Sequence, residues 1–314
     1  MEPLLKTVHL KKHFKVNSGL LHAVDDVNLE IAKGKTLGVV GESGCGKSTL
    51  GRTILRLLEA TSGQVFFNGR DILKADRREM REIRTKMQIV FQDPYSSLNP
   101  RMSVFQLIAE PLIRNKIYPQ TKDLERRIFQ LMETVGLTSR FVNSYPHELD
   151  GGRRQRIGIA RALALNPEFI ICDEPVSALD VSIQAQILNL LMDLQDQLGL
   201  TYLFITHNLA VVKHISDDVA VMYLGQCVEK ADSRELFKNP LHPYTKALLA
   251  SIPEPKLCSR KKFSILKGEL SNPINPEPGC RFAPRCPYCS PACKEKDIPL
   301  KEQAPSHFVA CTLY

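Results

Sequence analysis

The chain has 314 residues, of which 43% are hydrophobic and 24% are charged, and this composition is typical of a folded globular protein. Its formal net charge is +8, but no dense basic block is interleaved with aromatic residues, so nucleic-acid binding receives little support. No uncharged apolar run reaches the roughly 18 residues that a membrane-spanning helix needs, and no signal peptide is visible. We therefore expect a cytoplasmic chain that reaches a membrane only through partner proteins.

Predicted strands dominate the first part of the chain, up to about residue 70. Residues 23–31 alternate apolar and polar side chains as a half-buried strand does, and residues 36–40 form a short apolar strand after a turn. Apolar residues at helical spacing then predict a helix over residues 47–58. The apolar face of that helix would consist of Leu50, Ile54, Leu57 and Leu58.

Helices and strands alternate through the rest of the chain. Residues 105–165 are predicted to be mostly helical, with helical spacing clearest over residues 124–135. Later elements are predicted as strands at residues 169–172, 201–206 and 219–224, and as a helix at residues 183–198. This alternation predicts an α/β fold around a mainly parallel sheet. From Pro240 to Pro305 the chain is rich in proline and lacks periodicity, so we expect an irregular appendage held by something other than a large core.

A glycine-rich segment lies between the strand predicted at residues 36–40 and the helix that follows, and it matches the P-loop pattern. The segment consists of Gly41, Glu42, Ser43, Gly44, Cys45, Gly46, Lys47, Ser48 and Thr49. Glycine lets backbone N–H groups turn toward phosphate oxygens, and the helix N-terminus adds partial positive charge. Lys47 supplies a point charge for the β- and γ-phosphates, and Ser48 can ligate Mg²⁺. The segment therefore predicts binding of ATP with Mg²⁺.

An acidic pair follows the apolar strand predicted at residues 169–172. Asp173 ends the strand, where a carboxylate can hold the Mg²⁺ shell. Glu174 comes next and is placed to orient or deprotonate the attacking water. Together with the P-loop, this pair predicts hydrolysis of the nucleotide.

Further short motifs stand in the order that ABC ATPases show, between residues 14 and 207. Gln92 lies in a segment that resembles their Q-loop, and residues 150–153 stand where they carry the signature motif. The remaining positions that resemble the family are Asp180 of the D-loop, His207 of the H-loop, and Phe14 with Val24 at the adenine position. The resemblance implies that Gln92 senses the γ-phosphate and joins Ser48 and Asp173 at Mg²⁺. It also implies that His207 contacts the γ-phosphate, so that Gln92 and His207 assist Glu174 in hydrolysis.

Three segments resemble the oligopeptide/dipeptide importer ATPases more narrowly, namely residues 94–102, residues 239–245 and the cysteine-bearing tail. This resemblance implies an ATPase subunit that powers import of di- or oligopeptides from the cytoplasmic face of the membrane. Its partners would be two transmembrane permease subunits and an extracytoplasmic substrate-binding protein. Nickel and oligosaccharide importers belong to the same subfamily, so those cargoes stay as alternatives. A non-transport ABC ATPase is a further alternative, although such proteins usually carry two cassettes or a long coiled-coil insertion.

The same resemblance implies a domain organisation. A P-loop ABC-ATPase core with an N-terminal antiparallel β element would occupy residues 1–239. A helical signature subdomain would fill about residues 95–165 of that core. A small C-terminal extension with a metal-binding cysteine cluster would occupy residues 240–314.

The signature departs from the family pattern at two positions of the run Asp150, Gly151, Gly152 and Arg153. Serine usually stands in place of Asp150, and glutamine in place of Arg153. In the head-to-tail pairs of the family, the signature binds the ATP of the partner subunit, and an ionised Asp150 repels that phosphate unless Arg153 offsets it. We therefore hypothesise a heterodimer with a different ATPase subunit, in which this signature serves the weaker site. The alternative is that Asp150 is tolerated because the glycine N–H groups do most of the binding.

Five of the nine cysteines crowd the C-terminal segment. Cys286 and Cys289 have zinc-knuckle spacing, and Cys293, Cys311 or His307 could complete a tetrahedral site. The resemblance instead implies a structural [4Fe–4S] cluster, because peptide-importer ATPases carry cluster ligands with matching spacing. The matching residues are Cys280, Cys286, Cys293 and Cys311. Zinc remains the alternative metal.

Overall fold

The computed structural model describes residues 2–251 and 273–314, so residues 252–272 of the predicted C-terminal extension lie outside the described residues. The chain forms two compact units. The first unit comprises Met1–Lys74 and Phe204–Tyr314, and the second unit comprises Ala75–Leu203. No helix in the described ranges is long and apolar enough to cross a membrane.

Each individually predicted strand and helix has a counterpart in the structure, although several strands follow one another without a helix between them. The strands are β1 (Leu5–Val16), β2 (Gly19–Ile31), β3 (Thr36–Val40), β4 (Ser62–Phe67), β5 (Arg70–Asp71), β6 (Met87–Val90), β7 (Phe169–Asp173), β8 (Thr201–Ile205), β9 (Asp218–Tyr223), β10 (Gln226–Asp232), β11 (Lys301–Ala304) and β12 (His307–Val309). The α-helices are α1 (Lys47–Ile54), α2 (Arg77–Lys86), α3 (Pro94–Ser97), α4 (Val104–Arg114), α5 (Thr121–Thr134), α6 (Gly151–Leu163), α7 (Val181–Leu198), α8 (Leu209–Ile215), α9 (Ser233–Lys238), α10 (Pro243–Ala250) and α11 (Ala292–Glu295). Short 3₁₀ turns lie at Ser139–Phe141, Pro146–Glu148 and Ala283–Arg285.

An antiparallel sheet in the order β2-β1-β4-β5 forms the N-terminal part of the first unit. Leu5 of β1 pairs with Ile31 of β2 on one side and with Phe67 of β4 on the other, and all three side chains are buried. The sheet confirms the expected N-terminal antiparallel β element and the strand predicted at residues 23–31.

A second sheet of the first unit runs in the order β11-β12-β10-β9-β3. Only β3 and β9 are parallel within it, whereas β10, β12 and β11 each pair in the antiparallel direction. In the second unit, β6 and β7 are parallel. The expectation of a mainly parallel sheet therefore holds for β3–β9 and β6–β7 but is wrong for the three strands from β10 onward.

The change of direction occurs in a tight turn between β9 and β10. Tyr223 pairs with Gln226, so Leu224 and Gly225 form a two-residue connection, and both have positive φ angles of 43° and 86°. Two positive φ angles characterise the type I′ hairpin turn. No asparagine or aspartate marks this turn in the sequence, so the sequence analysis did not predict the hairpin.

The helix predicted over residues 47–58 ends earlier, at Ile54. Arg56 adopts a left-handed conformation with φ 52°, and the N–H groups of Leu57 and Leu58 both bond to the carbonyl of Arg52. This backbone reversal terminates the helix as a left-handed C-cap does. Leu57 consequently lies 49% exposed and is not part of the buried face.

The C-terminal tail shares a core with the rest of the first unit, which differs from the expected irregular appendage. Phe282 is 1% exposed, and its ring centroid lies 5.3 Å from that of Tyr223 and 5.4 Å from that of Tyr244. The buried carboxylate of Glu229 accepts hydrogen bonds from the N–H groups of Leu241 and His242, and it contacts the His307 imidazole at 2.8 Å. Apolar packing and this buried polar network therefore hold the described part of the tail.

The second unit is mainly helical around β6 and β7, as expected for residues 105–165. Leu107 and Ile108 of α4 and Ile128 of α5 are fully or almost fully buried. Ser103 and Gln106 form a capping box at the start of α4, which fixes where that helix begins.

Candidate nucleotide site

The predicted P-loop connects the end of β3 to the start of α1 in the first unit. Ser43 and Gly44 are exposed at the tip of the loop, whereas Ser48 and Thr49 are half-buried in the first turn of α1. Gly46 has φ 103°, and a Cβ atom there would clash with the carbonyl oxygen of Ala23. The loop therefore needs glycine at this position for both its backbone angle and its space.

Lys47 is 4% exposed, and its amine lies inside the loop. The Nζ atom donates hydrogen bonds to the carbonyl oxygens of Gly41 at 2.8 Å and Glu42 at 2.9 Å. Burial raises the pKa of the neighbouring Cys45 thiol, so this cysteine is protonated at neutral pH and is no nucleophile. The loop thus presents a single buried cation wrapped by backbone.

The two residues predicted at the adenine position differ in exposure. Phe14 of β1 is half-buried, with the Lys12 ammonium 4.7 Å from its ring centroid. Val24 of β2 is 0% exposed and belongs to the core. Of this pair, Phe14 is therefore the residue that is partly accessible.

A cluster that the sequence analysis missed surrounds Asp25 on β2. The rings of His13 and His22 stack with centroids 3.8 Å apart, and their nitrogens contact Asp25 at 3.2 Å and 2.9 Å. Lys11 lies 3.5 Å away, and the guanidinium of Arg281 forms an ion pair with the same carboxylate. Burial acts to raise the pKa of Asp25, but the hydrogen bond from His22 and the charge of Arg281 outweigh it and lower the pKa to about 2. Two cations neutralise Asp25, so charge balance calls for no metal ion here, although three donor atoms lie within 4.8 Å of one another.

His207 follows β8 and is exposed. The N–H of the preceding residue, Thr206, donates to the carbonyl of Val39 at 3.1 Å, next to the residue that ends β3. Asn208 then caps α8 by accepting from the N–H of Ala210. His207 is therefore held beside the strand that leads into the P-loop.

The acidic pair of the second unit has two different environments. Asp173 is 1% exposed at the end of β7. Glu174 is partly buried and has φ 47°, a left-handed conformation that is unfavourable for a glutamate and is fixed by hydrogen bonds from Ser177 to its carbonyl oxygen. The side-chain amide of Gln92 donates to the Glu174 carboxylate at 3.1 Å. The structure thus brings together Gln92 and Glu174, which lie 82 residues apart in the chain.

The signature residues form the N-terminus of α6 in the second unit. Asp150 is the N-cap: its carboxylate accepts a hydrogen bond from the N–H of Arg153 at 2.8 Å and also pairs with the Arg153 guanidinium. That guanidinium stacks over the Phe141 ring at 4.8 Å. A Cβ atom on Gly152 would lie 2.6 Å from the Ile183 side chain of α7, so the glycine permits this close approach. Asp180 is exposed and precedes α7.

The tail cysteines form one neighbourhood in the first unit. Burial raises the pKa of the Cys280 thiol to about 11, and the charges of Cys293, Cys286 and Cys311 act in the same direction. Hydrogen bonds with Ser290 and Thr312 lower the pKa of Cys293 instead. Among the described residues, no three of the cysteine sulfurs lie within 4.8 Å of one another. Cys289 is exposed at the edge of this group.

His307, the histidine considered as a zinc ligand, is bonded to a carboxylate. Its side chain is 2% exposed and contacts Glu229, and it belongs to no group of three metal-competent donors in the part of the chain that the structure describes. The hydrogen bond to Glu229 gives His307 a structural role.

Comparison with known families identifies two matching regions. Residues 24–177 match the family model described as ABC transporter. Residues 228–293 match the model described as Oligopeptide/dipeptide transporter, C-terminal region.

Individual relatives match over nearly the whole chain. The oligopeptide transport ATP-binding protein AppF of Bacillus subtilis is 52% identical over 100% of this chain and 98% of its own length. The oligopeptide transport ATP-binding protein OppF of Salmonella typhimurium is 51% identical over 98% of this chain and 95% of its own length. Among solved structures, a dimeric post-hydrolysis state of the ATP-binding cassette MJ0796 with ADP and Pi matches with a TM-score of 0.67 at 30% identity, covering 73% of this chain and 99% of that one.

Proposed function

This chain belongs to the ATP-hydrolysing subunits of ABC transporters that carry the oligopeptide/dipeptide C-terminal region, and on that premise we propose that it powers the import of di- and oligopeptides. The cargo class is supported by 52% identity to an oligopeptide transport ATP-binding protein over 100% of this chain and 98% of that protein. Nickel and oligosaccharide import are not favoured, because these relatives are named for peptide transport.

The nucleotide would be bound and hydrolysed by the residues that the motifs predict. Loop N–H groups and Lys47 would bind the phosphates, and Ser48, Gln92 and Asp173 would complete the Mg²⁺ shell. Glu174 would orient or deprotonate the attacking water, held by the hydrogen bond from Gln92. His207 would contact the γ-phosphate. The geometry of the loop around Lys47 supports these roles.

Adenine stacking is assigned to Phe14, since this residue is partly accessible. Val24 is buried, so we assign it a supporting position below the adenine.

The partners of the chain follow from the same premise. It would act on the cytoplasmic face of the membrane with two permease subunits, an extracytoplasmic substrate-binding protein and a second, different ATPase subunit, and without nucleic acid. The heterodimer is supported by the signature, where both oxygens of Asp150 accept hydrogen bonds from Arg153 and neither can donate one to a phosphate. This signature would therefore serve the weaker of two sites.

We assign Cys280, Cys286, Cys293 and Cys311 to a structural [4Fe–4S] cluster, with zinc as the alternative. Sulfur ligands of one zinc ion lie at about 2.3 Å from it and so at most about 4.6 Å apart. No three of the described tail sulfurs lie within 4.8 Å of one another, and four thiolates suit a [4Fe–4S] cluster. The cluster would supply a rigid crosslink between segments of the tail.

The metal assignment is tested on the full chain purified without oxygen. About four irons per chain and a broad visible absorption band are expected, and Cys286→Ser should abolish both. Cys289→Ser is the matched control and should change neither. One zinc per chain without colour would contradict the cluster.

The transport assignment is tested in vesicles that contain the chain, its permeases and its partner ATPase. Glu174→Gln should lower ATP hydrolysis at least about 100-fold while ATP binding persists, because only the catalytic carboxylate is lost. The control is Glu133→Gln, an exposed glutamate of α5. Uptake of labelled peptides should fall in parallel, and uptake of nickel or oligosaccharide in place of peptides would contradict the cargo.

A further inference from the structure

The side chain of Glu42 in the P-loop is held by an arginine from the cysteine tail. Arg285 is almost buried, with its side chain 9% exposed. Its Nη1 atom donates to Oε2 of Glu42 at 2.9 Å, and its Nη2 atom donates to Oε1 at 3.3 Å. Two parallel charge-assisted bonds fix the direction of the carboxylate as well as its position.

The backbone of Glu42 is held by another residue of the C-terminal extension. Its N–H donates to the hydroxyl of Tyr244 at 3.0 Å, and Tyr244 lies on α10 with 0% exposure. The carbonyl of Glu42 accepts the hydrogen bond from Lys47. Tyr244 thus holds the Gly41–Glu42 peptide, and the carbonyls of Gly41 and Glu42 both accept hydrogen bonds from the Lys47 amine.

A second arginine of the tail holds the other side of the loop. Arg281 pairs with Asp25 and donates to the carbonyl of Leu224, in the hairpin turn between β9 and β10. The next residue of that turn, Gly225, donates its N–H to the carbonyl of Cys45 at 2.8 Å. The chain of contacts from Arg281 thus ends on the P-loop.

Both arginines lie directly beside predicted cluster ligands. Arg281 follows Cys280, and Arg285 precedes Cys286. The turn that carries them is closed by the hydrogen bond from the N–H of Cys280 to the carbonyl of Cys293 at 2.7 Å. A group bound to these cysteines would therefore fix the segment from which both guanidinium groups reach the loop.

We propose that Arg285 and Arg281 are positioning residues of the P-loop, through which the occupancy of the cysteine tail sets the affinity for ATP. This inference rests on the proposed ATP site and cysteine-bound group. Loss of the bound group frees the segment from Cys280 to Cys286. The guanidinium of Arg285 then no longer faces the Glu42 carboxylate, and Tyr244 remains as the other contact from the C-terminal extension that holds Glu42.

The test is equilibrium binding of trinitrophenyl-ATP with Mg²⁺ to the full chain. Arg285→Ala should weaken binding roughly three- to tenfold, whereas Lys296→Ala, which removes an exposed cation of the same tail, should leave it unchanged. In a Glu42→Gln background, Arg285→Ala should have little further effect, because the contact is already lost. Arg285→Lys keeps the charge without the paired geometry and should give an intermediate affinity in a folded chain. Fully additive effects of Arg285→Ala and Glu42→Gln would overturn the positioning role.

The link to the cysteines is tested by the same measurement. Cys286→Ser should weaken nucleotide binding in the wild-type background but not in the Arg285→Ala, Arg281→Ala double variant. Unchanged affinity after loss of the bound metal would overturn the link while leaving the positioning role standing. Failure of the proposed function would look different, because the wild-type chain itself would then bind no nucleotide or hold no metal.

Discussion

The P-loop and the signature motif are both glycine-containing turns that lead into a helix, but the first N–H groups of the two helices are used differently. Gly46 precedes α1 and has no side chain that could cap the N–H groups of the first turn. Asp150 precedes α6 and occupies the N–H of Arg153 with a carboxylate. A negative cap competes with a phosphate for the same donors. If the proposed roles hold, this chain carries one strong and one weak phosphate-binding turn.

Replacement of Lys47 should give the largest effect on this comparison. Lys47→Met removes the buried cation around which the loop closes, so hydrolysis by the assembled transporter should fall at least about 100-fold. Lys33→Met, an exposed lysine of the turn before β3, is the matched control. Activity within twofold of the wild type would show that the loop does not act through this amine.

A substitution that alters the backbone of the P-loop should have nearly as large an effect. Gly46→Ala would force a clash with the Ala23 carbonyl at a φ of 103°, so we expect a loss of about 2–4 kcal/mol in stability and weak ATP binding. Gly44→Ala meets no atom within 4 Å and carries only the backbone penalty of φ 80°. Thermal unfolding and nucleotide binding of the two variants should therefore differ clearly, and equal behaviour would count against the geometry.

Acid pH should weaken the first unit through His242. Burial lowers the pKa of His242 to about 4, and its Nδ1 atom accepts the N–H of Tyr244 at 3.1 Å only while unprotonated. Neutral His242 therefore contributes its full share of the free energy of unfolding above about pH 6.5 and loses it as the pH falls toward 4. The free energy of unfolding should fall by about 2 kcal/mol between pH 7 and pH 5. His242→Asn keeps a helix-capping side chain and should reduce this pH dependence in urea unfolding. An unchanged slope in the variant would exclude His242 as the source.

Substitutions in the signature should have the smallest effect on ATP hydrolysis. Arg153→Gln leaves the charge of Asp150 without its partner, and hydrolysis in the assembled transporter should fall about threefold. Asp150→Ser with Arg153→Gln restores the usual family residues and should raise the rate or change the number of active sites. If Asp150→Ser alone alters neither rate nor stoichiometry, the asymmetry of the two sites is contradicted.

Local sequence patterns predicted five strands (β2, β3, β7, β8 and β9) and three helices (α1, α5 and α7), because strand alternation and helix spacing depend on near neighbours. The predicted end of α1 was wrong, because the spacing of apolar residues does not reveal the left-handed conformation of Arg56. Arg285 and Arg281 were missed because their partners, Glu42 and Asp25, lie 243 and 256 residues away. The His13–His22 stack was missed because it depends on the register of β1 against β2. The positions that anchor the P-loop are therefore those that only tertiary structure reveals.

The pairing of β12 with β10 has a consequence for solubility. Without the tail, β10 would offer a row of unpaired backbone groups, and the buried carboxylate of Glu229 would lose His307. Such an open edge invites pairing between copies of a chain. With the tail present, β11 is the outermost strand at this side of the sheet among the described residues, and its Lys301 and Glu302 are exposed. Charge on an edge strand discourages such pairing. The pairing of β12 with β10 therefore closes an edge of this sheet that would otherwise favour aggregation.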